Sequence, residues 1–171
     1  MKTIVSIDPG SKGFISVLYP DGIRQFFAIE GHTHRDVANF IMSINPENTV
    51  CVMEEVHAIK GSAAGATFSF GEIFGFLKGV ITASGFAYHL VQPKEWQNKV
   101  WINEDKVYKY GKPNAKTGKC SRLIETKATS INAAKRLFPE IDFRRTDKCT
   151  VIDDNKVDSV LIGEYARREN L

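Results

Sequence analysis

Residues 3–29, TIVSIDPGSKGFISVLYPDGIRQFFAI, decide how the rest of the chain is read. Thr3 to Ile7 is a short β-branched run that stops at Asp8-Pro9-Gly10, which reads as a buried strand and a turn. Phe14 to Leu18 is a second apolar run, Pro20-Asp21-Gly22 a turn signal, and Ile23 to Ile29 a third run. Three strands joined by tight turns predict an antiparallel meander. It carries an acid, Asp8, at the end of its first strand.

Beyond the meander the hydrophobic period changes. His34 to Ile44 has helical spacing, Thr49 to Val56 is strand-like, and Gly65 to Ser84 is the longest helical stretch. Phe86 to Val91 reads as a fifth strand, and Pro93 opens a short helix. Thr126 to Phe138 and Asp154 to Arg168 are amphipathic helices separated by a polar stretch. The order predicts an α/β fold in one domain over residues 1–171. Its five-stranded mixed sheet would have three antiparallel strands, then parallel ones, and helices on both faces. Residues 101–122, WINEDKVYKYGKPNAKTGKCSR, lack an apolar period and read as a long basic loop or extension.

Gly71, Gly75 and Gly79 form one stripe along the long helix. Each costs about 1 kcal/mol of helix stability against alanine. Another element must therefore come close, either inside the domain or from a second subunit.

Composition excludes several classes. The chain has 171 residues, 43% hydrophobic and 25% charged, as in ordinary globular domains, which leaves out disordered and collagenous chains. No apolar run approaches the ~20 residues that span a bilayer. An acid at position 8 comes too early for a signal-peptide core, so a cytoplasmic protein is expected. Cys51, Cys120 and Cys149 lack metal-ligand spacing and read as free thiols. The net charge of +3 hides an asymmetry. Residues 94–150 hold 14 Lys+Arg against 7 Asp+Glu, and the rest 9 against 13. A basic third beside an acidic remainder points to a polyanionic partner and to metal or acid chemistry, against the plainer reading of a solvated lysine-rich loop.

Four acids stand where they could converge: Asp8, Glu54 in the fourth strand, and Asp154 with Asp158 at the start of the last helix. Strand side chains alternate faces, so only one of Glu54 and Glu55 can point at a given site. Asp154 and Asp158 are four apart and share a helix face, where like charges repel without a cation between them. An all-oxygen cluster of this kind selects Mg²⁺ or Mn²⁺ over zinc. Each acid also has an ordinary role open to it: Asp8 as a turn residue, Asp154 as a helix cap, Glu55 as a solvated strand residue. His32 and His34 read as loop residues. Trp96 and Trp101 would either stack on nucleic acid or cover the core.

Six segments occur in order: IDPGSKGFISVL, VMEEVH, FSFGEIFGFLKGVI, VQPKEWQ, KATSINAAKRLFP and DNKVDSVLIGEYARR. Together they resemble the RuvC-type Holliday-junction resolvases, the bacteriophage branch in particular, over nearly the whole chain except 101–122. The resemblance implies an RNase H-like fold, a homodimer, no membrane, and Mg²⁺-dependent cutting of four-way DNA junctions with two ions per site. A phage-encoded member would act in the bacterial cytoplasm. The family's acids fall on Asp8, Glu54, Asp154 and Asp158, with Asp153 a rival for the third position. Its phosphate-contacting lysine falls on Lys127. Where bacterial members carry a stacking aromatic after the middle strand, this chain has His57, whose imidazole can also stack on a base. Lys109, Lys112, Lys116, Lys119 and Arg122 complete the expected DNA contacts. Asp8 would bridge the ions, and the ions would clamp the scissile phosphate.

Three rivals differ in class. An actin-type ATPase also begins with a strand and Asp-x-Gly, but needs two such domains. A non-catalytic branched-DNA module would not need four acids. A nuclease for flaps, forks or RNA–DNA hybrids would use the same ones.

Overall fold

The computed structural model describes residues 2–22, 24–55, 63–113 and 117–171. The meander forms as expected: β1 (Thr3–Asp8), β2 (Phe14–Leu18) and β3 (Arg24–Ala28), each antiparallel to the next. Then follow α1 (His34–Met42), β4 (Thr49–Glu54), α2 (Ala64–Ala83), β5 (Ala87–Val91) and α3 (Pro93–Val100). The strands lie in the order β3-β2-β1-β4-β5, with β4 parallel to β1 and β5 parallel to β4. Thr33 starts α1 with a reciprocal cap, accepting from the Asp36 N–H while the Asp36 carboxylate takes the Thr33 N–H.

Strand alternation splits the core in two. Ile4, Leu18, Val50, Val52 and Val91 face α3 and two later helices, α4 (Thr126–Leu137) and α5 (Asp154–Arg168). Val5, Ile7, Ile15, Val17, Cys51 and Met53 face α1 and α2. Each fully buried aliphatic side chain contributes roughly 1.5–3 kcal/mol, so both layers are needed to hold the sheet. Cys51 lies wholly within the second layer, where burial pushes its thiol up to about 12. All three cysteines are free thiols.

Helix α5 sits unusually close to the sheet because the residues between are small. A Cβ at Gly163 would stand 2.7 Å from Ser6 Oγ and 2.8 Å from Leu18 Cδ1. Ser16 and Ser159 share a hydrogen bond of 2.6 Å between their hydroxyls, and Ser6 Oγ donates to Ser16 O. This serine bridge satisfies buried hydroxyls and sets the height of α5 over β1 and β2.

Two expectations sharpen. Of the loop or extension expected over 101–122, the described residues form the extension. A short 3₁₀ turn (Asn103–Asp105) leads into β6 (Tyr108–Pro113) and β7 (Cys120–Ile124), a separate two-stranded antiparallel ribbon. Both its faces are largely in solvent, so burial imposes no hydrophobic period on the sequence. The long helix α2 buries only Ile73, Leu77 and Ile81. Gly71, Gly75 and Gly79 are exposed, and a Cβ on any of them would meet nothing within 4 Å. Packing within the domain therefore does not account for the stripe among the described residues. None of the helices there is long and apolar enough to cross a membrane.

Candidate active site

Strand parity and α5 together build an acidic cluster at one end of the sheet. Ile4, Ser6 and Asp8 share a face of β1, and Val50, Val52 and Glu54 share the matching face of β4. Ile7 and Met53 are register partners, so Asp8 and Glu54 stand side by side at the ends of neighbouring parallel strands. Gly13 shapes the turn after β1: a Cβ there would lie 2.1 Å from Asp8 O, which no other residue type could accommodate. The second turn of α5 brings Asp158 over the same spot. Glu55 lies one residue past β4, where its N–H donates to Val91 O at 2.7 Å.

The electrostatics are those of crowded carboxylates. Burial holds Asp8 well above the usual carboxylate range, and repulsion from Asp158, Glu54, Asp154 and Asp153 adds to it. Burial likewise raises Asp158 to about 7; a hydrogen bond from Ser130 opposes the rise, while Glu54 and Asp154 reinforce it. Glu54 is raised by burial and partly relieved by the Trp96 indole N–H, which donates to its Oε1 at 2.8 Å. The countercharge is Lys127, near the start of α4, whose Nζ lies 2.5 Å from Asp154 Oδ2. That contact, above all its hydrogen bond, raises the Lys127 pKa.

Asp153 has a different occupation. It caps α5, accepting from the N–H groups of Asn155 and Lys156, and pairs with Arg145 Nε at 2.5 Å. Burial would raise its pKa, but Arg145 and the Lys156 N–H outweigh burial and lower it. The helix cap is therefore Asp153 rather than Asp154, which leaves Asp154 facing the cluster and Lys127.

Several contributors were not legible in the sequence. Trp96 is fully buried, so the core reading holds for it, yet its N–H also fixes Glu54. Trp101 packs edge-on against it at 5.9 Å. Next to Trp96, Glu95 accepts from Tyr165 OH at 2.6 Å and ties α3 to α5. Arg145 binds Asp153, Glu30 Oε2 at 2.7 Å and Lys12 O at 2.8 Å, joining three loops at this end of the sheet. Trp96 stood out in the sequence only as the tryptophan of PKEWQ, with nothing to tie it to Glu54; Arg145 lies in a polar stretch with no period at all.

Of the expected DNA contacts, Lys112, Lys119 and Arg122 lie exposed on the ribbon, and Lys109 there pairs with Glu125. His57 and Lys116 lie outside the described residues. Among those residues no three Asp, Glu, His or Cys side chains stand at metal-coordinating spacing. The donor set nevertheless suits a hard divalent cation. It is all oxygen, burial raises three of its carboxyls, and Asp158 Oδ1 is buried with no hydrogen-bond partner.

A five-stranded mixed sheet with helices on both faces and acids at the ends of β1 and β4 is an RNase H-like arrangement. The solved structures it resembles are narrower in kind. Thermus thermophilus RuvC in complex with a Holliday junction substrate matches with a TM-score of 0.54 and 10% identity, over 99% of this chain and 96% of that one. Thermus thermophilus RuvC on its own gives 0.53 and 12%, over 98% and 96%. The yeast mitochondrial Holliday junction resolvase Ydc2 gives 0.54 and 14%, over 98% of this chain and 78% of that one. The fold is RuvC-like. No protein-family model and no curated protein matches the sequence.

Proposed function

We propose that this chain is a divalent-metal-dependent endonuclease that cuts four-way DNA junctions, with residues 1–171 acting as one nuclease domain. The observation that carries the reading is the meeting of Asp8, Glu54 and Asp158 at one end of a RuvC-like sheet, three half-buried carboxyls whose pKa values burial raises. Mg²⁺ or Mn²⁺, two per site, would supply an activated water and stabilise the leaving oxygen. Asp8, Glu54, Asp154 and Asp158 would hold the metal. Trp96 keeps one Glu54 oxygen aimed and leaves the other available. Lys127 balances Asp154 in the resting protein and turns to the scissile phosphate when substrate arrives. Lys109, Lys112, Lys116, Lys119 and Arg122 neutralise phosphates on the arms, and His57 stacks on a base. A homodimer joined along the exposed glycine stripe of α2 suits a two-fold junction cut on opposed strands. Like the bacteriophage members that the sequence resembles, it would work in the host cytoplasm.

The test is incubation of the protein with a synthetic four-way junction, a duplex, a flap and an RNA–DNA hybrid, each with Mg²⁺ or EDTA, beside light scattering for the mass. Paired nicks in the junction, abolished by EDTA, are the expected result. Preference for the flap or the hybrid would reassign the substrate, and binding without cutting in Mg²⁺ or Mn²⁺ would make the chain a branch-recognition module.

A further inference from the structure

The β6–β7 ribbon is held at its base and bare along one face. Asp105 is buried and clamped by Arg136 through bonds of 2.9 and 2.7 Å, while its carboxylate also caps the Ile102 N–H. Val107 N–H donates to Thr129 Oγ1 at 3.0 Å, and Glu125 N–H to Val107 O at 2.8 Å. These bonds fasten both ends of the ribbon to α4, within a helical turn of Lys127 and the carboxylate cluster. The ribbon thus rises directly from the lip of the candidate site.

Its register puts Tyr108 opposite Ile124 and Tyr110 opposite Arg122, so all four share one face. The Arg122 guanidinium lies 3.5 Å from the centre of the Tyr108 ring. Tyr110 is 76% exposed, far more than an aromatic ring ordinarily is on a free surface. Lys109 and Glu125 pair on the opposite side. An exposed tyrosine beside an arginine already stacked on a second tyrosine is the kind of surface on which proteins bind unpaired bases. A second copy of the chain suits this face poorly. Residues 101–122 hold six cations against Glu104 and Asp105, and Asp105 is already neutralised by Arg136, so two such ribbons would repel. A polyanion with exposed rings fits both the charge and the aromatics.

We propose that Tyr108, Tyr110 and Arg122 form a stacking platform for unpaired DNA bases beside the cleavage site. This rests on the nuclease reading and adds to it the interaction that tells an opened strand from a closed duplex. Phosphate neutralisation by the lysines acts on any DNA; the platform acts only where a base has come away from its neighbour.

The experiment is binding of the full chain in EDTA to a single strand, a matched duplex and a four-way junction carrying 2-aminopurine at the branch. Wild type, Tyr110→Ala and Tyr110→Phe are compared, with thermal melts and light scattering as controls. Tyr110→Ala should weaken single-strand binding roughly 5- to 100-fold and blunt the 2-aminopurine response, with duplex affinity unchanged. Tyr110→Phe should match wild type, since the ring does the stacking. Equal weakening on duplex and single strand would make Tyr110 a backbone-binding residue and overturn the platform. So would no weakening at all, or a change of mass in Tyr110→Ala, which would place a second copy on this face. Failure of the nuclease reading looks different: no cutting of any DNA by wild type in Mg²⁺, whatever Tyr110 does to binding.

Discussion

The carboxylate cluster and the β6–β7 ribbon are neighbours in the fold, joined through α4, and opposites in physics. The cluster is acidic, half-buried, and assembled from β1, β4 and α5, elements spread from one end of the chain to the other. The ribbon is basic, exposed on both faces, and assembled from one local stretch of chain whose partners are 7 to 16 positions apart. The cluster's side chains are held in an unfavourable electrostatic state by the core around them. Among the described residues the ribbon is tied to α4 at its base, by Asp105, Thr129 and Arg136. Burial can therefore store the mutual repulsion that a cation relieves, whereas a solvated ribbon stores nothing and instead presents reach and surface. Chemistry is expected in the first region and recognition in the second.

The largest effect should come from breaking the first region alone. Asp8→Asn, Glu54→Gln and Asp158→Asn should each lower junction cutting by about a thousandfold or more while junction binding persists, and their effects should not add. Glu55→Gln should cut like wild type. A site variant cutting within about tenfold of wild type would remove that residue from the cluster, with single-turnover kinetics as the measurement.

A smaller effect is expected where the cluster is merely aimed. Trp96→Phe keeps an aromatic body in the core but removes the donor to Glu54 Oε1. Removing a partner that orients a metal ligand typically costs roughly 10- to 100-fold. Titrating Mg²⁺ should show this as a higher metal requirement. An unchanged metal dependence would reduce Trp96 to packing.

The stored repulsion should be visible without substrate. Asp158 titrates at about 7 in the folded chain and near 3.9 when unfolded. Between those values the fold retains a proton that the unfolded chain has released. Metal-free stability therefore falls as pH rises from about 4 to about 7, then levels off. Asp158→Asn should melt several degrees above wild type at pH 8, by roughly the 2–8 °C that 1–2 kcal/mol gives in a chain of this size, and the gap should narrow at pH 5. Mg²⁺ should raise the wild-type melting temperature and leave the variant nearly unmoved. Equal melting of the two proteins at both pH values would mean that Asp158 ionises freely.

The smallest effect sharpens the second region. Lys112→Ala with Lys119→Ala should make the plot of log affinity against log salt shallower by roughly 0.9 for each phosphate that is no longer neutralised. Cutting at saturating protein should survive. An unchanged slope between about 50 and 200 mM salt would show that these lysines leave DNA untouched.

The sequence was most readable where burial wrote a period into it. The meander, the strands of the acidic end and α5 all announced themselves, because each must turn one face to a core. α5 begins and ends where its pattern does, at Asp154 and Arg168. Alternation also separated Glu54 from Glu55 on parity alone, since side chains on a strand cannot share a face with their neighbours. The ribbon was unreadable for the complementary reason: with both faces in water, Tyr108-Lys109-Tyr110-Gly111-Lys112 is under no pressure to alternate. The sequence left two partners open for the glycine stripe, and the fold answers only that no described residue of the same chain covers it.

By itself, then, the sequence determined which residue types stand at which turns of strand and helix, and from these a five-stranded mixed sheet and the candidate acids. Tertiary structure alone decided the rest. It made Asp153 the cap of α5 and Asp154 the partner of Lys127. It also brought Trp96 onto Glu54 across 42 residues and Arg145 onto Lys12 across 133. Such pairs have no local period to betray them, because the distance between their atoms is set by how two layers pack on a sheet and not by any repeat along the chain.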